Sequence, residues 1–310
     1  PRRRWYAAFA VAVLLAWILL PSGIKPPQVG TLVYERESAY NYIQVVQQGH
    51  RTELILNEGR AVHSIYDSQS LLTGGPWDYF VIASAFRPAQ QSEPRPTDVA
   101  ILGLAGGTVA TQYAATFGDR IQITGVEIDP DILDVAHRYF HLEPSVHAVV
   151  ADARYWLATQ AYSYDVIMVD AYRQPYIPFH LTTKEFFSEM RAHLKPQGVA
   201  VVNAGRTSTD YRLVDAIAST MAAVYPSVFL VDSPDFTNTL VYGSTQPIGL
   251  DDVEHNLQLM SEPLAKDVAA SALDAGNLRL SSYHSQVFTD DLAPVERLID
   301  EIIFSFATKR

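Results

Sequence analysis

Between residues 31 and 66 the chain alternates apolar and polar positions with a period of two. Ile43 and Val45 are among the apolar positions, and Gly49 lies between two such runs. This spacing is typical of antiparallel strands that bury one face and are joined by a tight turn. We therefore predict a small N-terminal β-hairpin subdomain over residues 26–87.

From residue 98 to residue 170, four short apolar runs alternate with segments of helix length. The runs are DVAIL, ITGV, HAVV and YDVIMV, and each leads to a glycine or an acidic residue. Strands that alternate with helices form a parallel sheet, and an open parallel sheet binds its ligand outside the carboxyl ends of the strands. The pattern predicts an α/β domain of the Rossmann-like kind over residues 88–310.

A glycine-rich turn follows the first of these strands. Gly103, Gly106 and Gly107 allow a backbone to approach a ligand closely, and we expect the next helix to offer unpaired N–H groups. Their spacing fits the G-x-G-x-x-G pattern of dinucleotide-binding proteins poorly. Glu127 follows the second strand, about 20 residues after the glycines, where a carboxylate can bind a ribose diol. These residues predict a site for a nucleoside-bearing cofactor.

Two further acidic residues stand at strand ends. Asp152, with Ala153 after it, follows the third strand, and Asp170 follows the fourth. The first position is where enzymes that use S-adenosylmethionine place a carboxylate that accepts a hydrogen bond from the adenine amino group. Both acids are expected at the same edge of the sheet as Glu127.

The chain from about residue 32 to residue 296 resembles the polyamine aminopropyltransferases, the family of spermidine synthase, and in particular their membrane-fused branch. The likeness is carried by LVYERESAYNYIQVVQ, by DAYRQPYIPFHLTTKEFF and by FTDDLAPVE, together with the glycine turn and the strand-end acids. It implies a Rossmann-like S-adenosylmethionine-dependent methyltransferase fold with a small antiparallel N-terminal sheet over the cofactor crevice. The implied reaction transfers an aminopropyl group from decarboxylated S-adenosylmethionine to a diamine such as putrescine.

The resemblance also implies roles for single residues. Asp170 matches the first acid of the Asp-x-x-Asp catalytic loop of the family and is the predicted base, with His180 as an alternative. Glu127 matches the acid that binds ribose, and Asp152 with Ala153 matches the adenine contact. Glu127, Asp152 and Ala153 are therefore predicted to bind the cofactor, together with the three glycines of the turn.

The chain departs from the family at positions that would meet the substrate. The acid of the family's glycine loop falls at Ala105, the second acid of its catalytic loop falls at Arg173, and Asn41 stands in place of a glutamine. We predict that Asn41, Tyr172 and Arg173 bind substrate. An arginine suits a carboxylate, including that of intact S-adenosylmethionine.

Residues 1–25 form a separate segment. Arg2 to Arg4 precede an uncharged run from Trp5 to Leu20, close to the ~20 residues that span a bilayer. We predict a transmembrane anchor; a signal peptide and a buried core helix are the alternatives. The catalytic domain is expected in the cytoplasm, where the cofactor is made, although the arginines favour the opposite orientation.

The composition narrows the choice of partner. A net charge of -11 argues against nucleic acid and suits a cationic amine acceptor, and the lack of cysteine excludes disulfides and thiolate metal sites. We expect no metal, and relatives of this kind make a homodimer possible. Three functions stay open: an aminopropyltransferase, an S-adenosylmethionine-dependent methyltransferase with an unknown acceptor, and a nucleoside-binding module without catalysis.

Overall fold

A computed structural model describes residues 2–19, 26–57, 61–118, 121–173, 175–274, 276–282 and 285–308. The strands within these ranges are β1 (Thr31–Glu37), β2 (Tyr42–Gln48), β3 (Arg51–Leu56), β4 (Val62–Asp67), β5 (Asp98–Leu102), β6 (Gln122–Glu127), β7 (His147–Val150), β8 (Tyr164–Val169), β9 (Leu194–Gly205), β10 (Ser227–Asp232), β11 (Asn238–Ser244) and β12 (Leu278–Leu280). The helices are α1 (Arg2–Leu19), α2 (Thr108–Phe117), α3 (Pro130–Tyr139), α4 (Ala153–Ala158), α5 (Lys184–Ala192), α6 (Arg212–Ala222), α7 (Leu250–Gln258), α8 (Pro263–Ala272) and α9 (Val295–Thr308), with 3-10 helices at Pro76–Ala85 and Phe179–Leu181.

The described strands form two sheets. β1 to β4 make an antiparallel sheet in sequence order, and the other strands form one sheet in the order β12-β10-β11-β9-β8-β5-β6-β7. β5 pairs in parallel with β6 and β8, and β8 pairs in parallel with β9, while β11 pairs antiparallel with β9. The predicted α/β domain with a small antiparallel N-terminal sheet is therefore confirmed.

The central strands are largely apolar because both faces of the large sheet are covered. In β5, Val99 and Ile101 pack into the core on one face. The alternate residues, Ala100 and Leu102, pack into the core on the other face. An unbroken apolar run is what a strand between two helical layers requires, so the same pattern that predicted the strand explains its central place.

The N-terminal sheet is attached to the glycine turn by hydrogen bonds. Gly106 N–H donates to Ser64 Oγ at 2.8 Å. Thr108 Oγ1 donates to the Ile65 carbonyl at 3.0 Å and accepts from Ile65 N–H at 2.9 Å. Since Ser64 and Ile65 belong to β4, this edge of the small sheet is held over the end of β5.

Two segment boundaries differ from the sequence pattern. The sequence from Asp251 to Ala275 indicates one helix, whereas the structure has α7 and α8 with a break before Pro263, a residue suited to the first turn of a helix. The proline and glycine in residues 195–198 indicate a turn, whereas these residues lie within β9 at a shift in its register against β8. Lys195 Nζ contacts Asp98 at 2.5 Å and Asp165 at 3.0 Å, which holds this irregular stretch on the sheet.

The part of the chain that the structure describes contains no helix that fits the predicted transmembrane anchor. Helix α1 covers 18 residues and begins with three arginines, so its uncharged part starts only at Trp5. That part falls short of the ~20 apolar residues that cross a bilayer. Among the described residues, no helix combines the length and the apolar character that a membrane span needs. The end of the predicted anchor, residues 20–25, lies outside the described residues.

Arg154, in the first turn of α4, connects three separate segments. Its guanidinium bonds to Glu189 of α5 at 2.7 Å, to Asp290 at 2.7 and 2.8 Å, and to the His180 carbonyl at 3.1 Å. The Arg154 side chain is only 18% exposed. A network of charge-assisted bonds around one planar group is worth more than an isolated surface pair.

We expect Arg154→Met to lower the free energy of unfolding by roughly 1–3 kcal/mol, because three segments lose a common partner. Urea denaturation of the two proteins measures this difference. Arg138→Met is the matched control: Arg138 is 63% exposed and pairs only with Asp134 at 3.5 Å. A loss no larger than that of the control would contradict the importance of the network.

Candidate active site

A cavity of about 1180 Å³ opens at the carboxyl ends of the parallel strands. Its lining includes these predicted site residues: Asn41, Gly103, Glu127, Asp152, Ala153, Asp170, Tyr172 and Arg173. Gly106 and Gly107 are not part of the lining. Gly106 packs under Ser64 and Phe140, and Gly107 packs against Leu142. The edge of the sheet that the sequence indicated is therefore the edge at which the cavity lies.

The glycine turn shapes the cavity through close packing. Gly103 has φ +94°, and a Cβ at this position would lie 2.5 Å from the carbonyl oxygen of Asp170. Glycine is therefore required where the ends of β5 and β8 meet. A larger residue would displace Asp170 from the cavity wall.

The backbone N–H groups of the turn are already used within the protein. Gly103 and Leu104 donate to the Val126 carbonyl, and Gly107 donates to the Leu104 carbonyl. Ala105 donates to Glu127 at 3.0 Å, and the N–H of Gly106 is taken by Ser64. The backbone donors of residues 103–107 therefore hold the acid and the N-terminal sheet in place and are not available to a ligand.

Glu127, at the end of β6, is buried with its carboxylate in the cavity wall. Oε2 accepts from Ala105 N–H at 3.0 Å, and Oε1 accepts from Asp129 N–H at 3.1 Å. Burial raises the pKa of Glu127, and the backbone hydrogen bonds oppose that shift. Each carboxylate oxygen has two lone pairs, so both keep the capacity to accept a hydroxyl. This arrangement fits a ribose diol.

Asp152 and Ala153 lie at the start of α4. Asp152 Oδ1 caps the helix by accepting from Tyr155 N–H at 2.9 Å, and its Oδ2 lies 3.4 Å from His180 Nε2. Ala153 is buried and leaves room for a flat ring beside the acid. Placed on the same wall as Glu127, the pair fits an adenine base whose amino group donates to a carboxylate.

Asp170 follows β8 and is the most perturbed acid of the cavity. Burial raises the pKa of Asp170 to about 6, while hydrogen bonds from Asn203 and Trp77 act in the opposite direction. The distance from Asn203 Nδ2 to Asp170 Oδ1 is 2.8 Å. A carboxylate with its pKa near the working pH can accept a proton or hold an ammonium group.

The sequence interpretation missed the side chains that position Asp170. Asn203 lies in β9 and also accepts from Asn238 Nδ2 at 2.9 Å, so two amides form a chain that ends at the carboxylate. Trp77 comes from the buried 3-10 helix Pro76–Ala85. A polar residue near the end of a strand next to β8 was a signal for Asn203, whereas no local pattern pointed to Trp77.

His63, at the second hairpin, is a further polar group in the lining. Burial lowers the pKa of His63 to about 4, so its imidazole is neutral near pH 7. Its Nε2 has no hydrogen-bond partner among the described residues. A neutral imidazole can donate a hydrogen bond to a ligand or accept one from it.

Tyr172 and Arg173 begin the loop after β8. The Tyr172 hydroxyl donates to the Asn203 carbonyl and accepts from Gly205 N–H, both at 2.9 Å, so the phenol is fixed on β9. Arg173 exchanges two backbone hydrogen bonds with Tyr176, which closes a tight loop. The exposed Arg173 side chain lies at the cavity wall without an ion-pair partner among the described residues.

Asn41 contributes mainly to the attachment of the hairpin loop. Its Nδ2 donates to Asp129 Oδ2 at 3.0 Å, and its Oδ1 accepts from Asn57 Nδ2 at 3.0 Å. Ser38 donates to the same Asp129 oxygen at 2.5 Å. The predicted substrate contact thus lies in the lining with both ends of its amide already hydrogen-bonded.

We expect Asn203→Ala to raise the pKa of Asp170 further, because the variant removes a hydrogen bond that favours the charged carboxylate. The acid limb of the pH–rate profile should move to higher pH by roughly one unit. Asn238→Ala is the control, since Asn238 contacts Asn203 but has no recorded bond to Asp170. Equal shifts in the two variants would contradict a direct effect of Asn203.

Comparisons with known proteins show what this chain is similar to. Residues 99–198 match a family model described as a methyltransferase domain. A probable polyamine aminopropyl transferase of Bifidobacterium longum is 35% identical over 296 residues, or 88% of this chain, but the chain spans only 64% of that protein. A polyamine aminopropyltransferase of Vibrio vulnificus is 30% identical over 224 residues, which cover 69% of this chain and 72% of that protein.

A solved structure shares the fold. The crystal structure of a probable spermidine synthase from Corynebacterium glutamicum aligns with a TM-score of 0.64 over 84% of this chain and 96% of that chain, at 18% sequence identity.

Among the described residues, no three His, Cys, Asp or Glu side chains are grouped to hold a metal ion. From its sequence likeness and its shared architecture, the chain belongs to the polyamine aminopropyltransferase family.

Proposed function

We propose that the chain transfers an aminopropyl group from decarboxylated S-adenosylmethionine to a diamine of the putrescine class. The observation that carries this proposal is Asp170, a half-buried carboxylate whose pKa is raised to about 6 by desolvation, in the same cavity as the ribose-type acid Glu127. One end of the cavity suits a nucleoside, and Asp170 suits an amine nucleophile. Family membership supports the same reaction.

The chemistry needs little more than position and charge. The amine nitrogen forms a bond to the carbon beside the sulfonium sulfur, while the carbon–sulfur bond breaks and its electron pair stays on sulfur as a neutral thioether. An alkylammonium has a pKa of about 10, like lysine, so the acceptor arrives protonated. Asp170 would hold that group and accept the proton that must leave the nitrogen before the nitrogen can attack. Orientation of the two reactants supplies much of the rate.

The charge of the cavity supports cationic reactants. Among the residues that the structure describes, four carboxylates line it, from Glu127, Asp152, Asp170 and Glu296, against one permanent cation, Arg173. The sulfonium and the amine are both positively charged, and clefts of opposite charge concentrate such ligands. The cavity thus remains acidic, although two acids of the family are replaced at Ala105 and Arg173.

A second candidate is transfer from intact S-adenosylmethionine, most simply of its methyl group. It is favoured by Arg173, whose guanidinium lies at the cavity wall, because such a group can bind the carboxylate that the decarboxylated cofactor lacks. Position 105 is an alanine where the family has an acid. The chain therefore lacks a carboxylate that would repel the carboxylate of intact S-adenosylmethionine. The nucleoside end of the site would be the same in both reactions.

Paired calorimetric titrations with decarboxylated and intact S-adenosylmethionine test the choice, followed by turnover with putrescine. We expect tighter binding of the decarboxylated form and formation of spermidine with 5′-methylthioadenosine. Preference for the intact form with no spermidine would support the second candidate. Binding of neither would overturn both.

A further inference from the structure

The C-terminal segment from Phe288 to Glu296 is fastened to the body of the domain. Phe288 is buried, its carbonyl accepts from Lys184 N–H at 2.8 Å, and its N–H donates to Thr220 Oγ1 at 3.0 Å. Thr289 and Leu292 exchange backbone hydrogen bonds at 3.1 and 3.0 Å. These contacts define the path of the chain before α9.

Asp290 supplies the strongest attachment of this segment. Its carboxylate accepts from Arg154 at 2.7 and 2.8 Å and from Thr183 Oγ1 at 2.7 Å, and its N–H donates to Glu185 at 2.9 Å. Arg154 directly follows Ala153 of the nucleoside end. Asp290 thus ties the segment to α4 and α5.

This attachment places the Glu296 side chain at the cavity. Val295, at the start of α9, is fully buried, and the next residue, Glu296, is exposed and lines the cavity. The Glu296 side chain has no hydrogen bond or ion pair with any described residue. The neighbouring Tyr176 has its pKa raised, first by its hydrogen bond to Asp300 and to a smaller extent by the charge of Glu296.

Among the described carboxylates of the lining, Glu296 is the one whose side chain has no hydrogen bond or ion pair. Glu127 and Asp152 serve the nucleoside end, and Asp170 faces the reacting amine. Arg173 lies in the same lining, but its guanidinium is beyond ion-pair distance of Glu296. A diamine carries a second ammonium group, which needs an acid of its own.

We propose that Glu296 binds the ammonium at the far end of the acceptor and thereby selects diamines over monoamines. This inference rests on the proposed function and deepens it. Positions 105 and 173 lack the family acids, and a carboxylate brought by the C-terminal segment restores a second anion to the acceptor side. Arg173, in the same lining, limits where the second ammonium can lie, because like charges repel.

The test compares putrescine with 1-aminobutane, which has the same carbon chain and one amine. Their affinities for the full chain are measured by calorimetry with 5′-methylthioadenosine present, for the wild type and for Glu296→Gln. We expect the variant to bind putrescine roughly tenfold more weakly, the effect of losing one charged hydrogen bond. Binding of 1-aminobutane should stay within about twofold, because that ligand has no second ammonium.

Asp291→Asn is the matched control, since Asp291 is an exposed acid of the same segment that is not part of the cavity lining. Glu296→Asp should recover part of the affinity for putrescine, which a merely structural role would not predict. A wild type without preference for putrescine, or equal losses for both amines in Glu296→Gln, would overturn the proposal. Diamine-selective binding without formation of spermidine would retain it and reject the proposed reaction instead.

Discussion

Asp170→Asn is expected to lower kcat/KM for aminopropyl transfer roughly 10²- to 10⁴-fold, the range over which a positioned general base contributes. Asparagine keeps the shape of the side chain, and its oxygen can still accept from Asn203 Nδ2, which lies 2.8 Å from Asp170 Oδ1. The variant loses only the charge and the ability to take a proton. For the wild type, kcat/KM should rise with pH through about 6, the pKa of Asp170, and the residual rate of the variant should lack this step.

The same substitution should stabilise the fold at neutral and alkaline pH. The folded-state pKa of Asp170, about 6, lies above its ordinary value of 3.8. The folded chain therefore binds more protons than the unfolded chain between these values, and stability falls as pH rises through this window. Above pH 7 the asparagine variant should unfold with a free energy roughly 1–3 kcal/mol higher than that of the wild type. Below about pH 4 the difference should vanish, since Asp170 is then neutral in both states.

Asp215→Asn separates the two effects. Burial also raises the pKa of Asp215, and its Oδ1 is buried without a hydrogen-bond partner among the described residues, but it lies outside the cavity lining. This control should gain stability at alkaline pH and keep its activity. If Asp170→Asn retained activity within about threefold, Asp170 would not be the base. Chemical denaturation at several pH values, beside initial rates, measures both quantities.

The main sheet could be predicted from the sequence because the signal for each strand lies within the strand itself. DVAIL and YDVIMV are apolar at every position that faces either helical layer, and each run ends where the next segment turns. The continuous course of β9 through residues 195–198 had no such signal. It depends on the contacts of Lys195 with Asp98 and Asp165, which come from other strands.

The place of Glu127 and Asp152 at the edge of the cavity was predictable for the same reason. Glu127 and Asp152 each close a strand, and parallel strands bring such residues to one edge. Asn203 lies in β9, next to β8. It could have been found by applying the same strand-end rule to β9. Trp77 and Glu296 could not, because a buried 3-10 helix and a fastened C-terminal segment bring them to the cavity.

Glu127→Gln should weaken binding of 5′-methylthioadenosine on the order of 10²-fold, the effect of losing one or two charged hydrogen bonds to a ribose diol. This ligand is the thioether left after aminopropyl transfer, so it isolates the nucleoside end from the acceptor end. In the wild type, two backbone N–H groups, from Ala105 and Asp129, already point at the two carboxylate oxygens. A glutamine amide has a single oxygen, so one of these donors would lose its acceptor and the side chain would have to turn.

Asp152→Asn is the matched control at the same end of the cavity. The Asp152 side chain is 40% exposed, and its asparagine variant can still cap α4, so we expect a loss nearer tenfold. Calorimetric titration of the three proteins measures both effects. Equal losses in the two variants would contradict a special role for the buried acid, and an unchanged affinity in Glu127→Gln would remove the ribose assignment. Burial of the Glu127 charge is unfavourable. A ligand whose hydroxyl groups bond to this carboxylate, in the place of water, explains why the fold has an acid here.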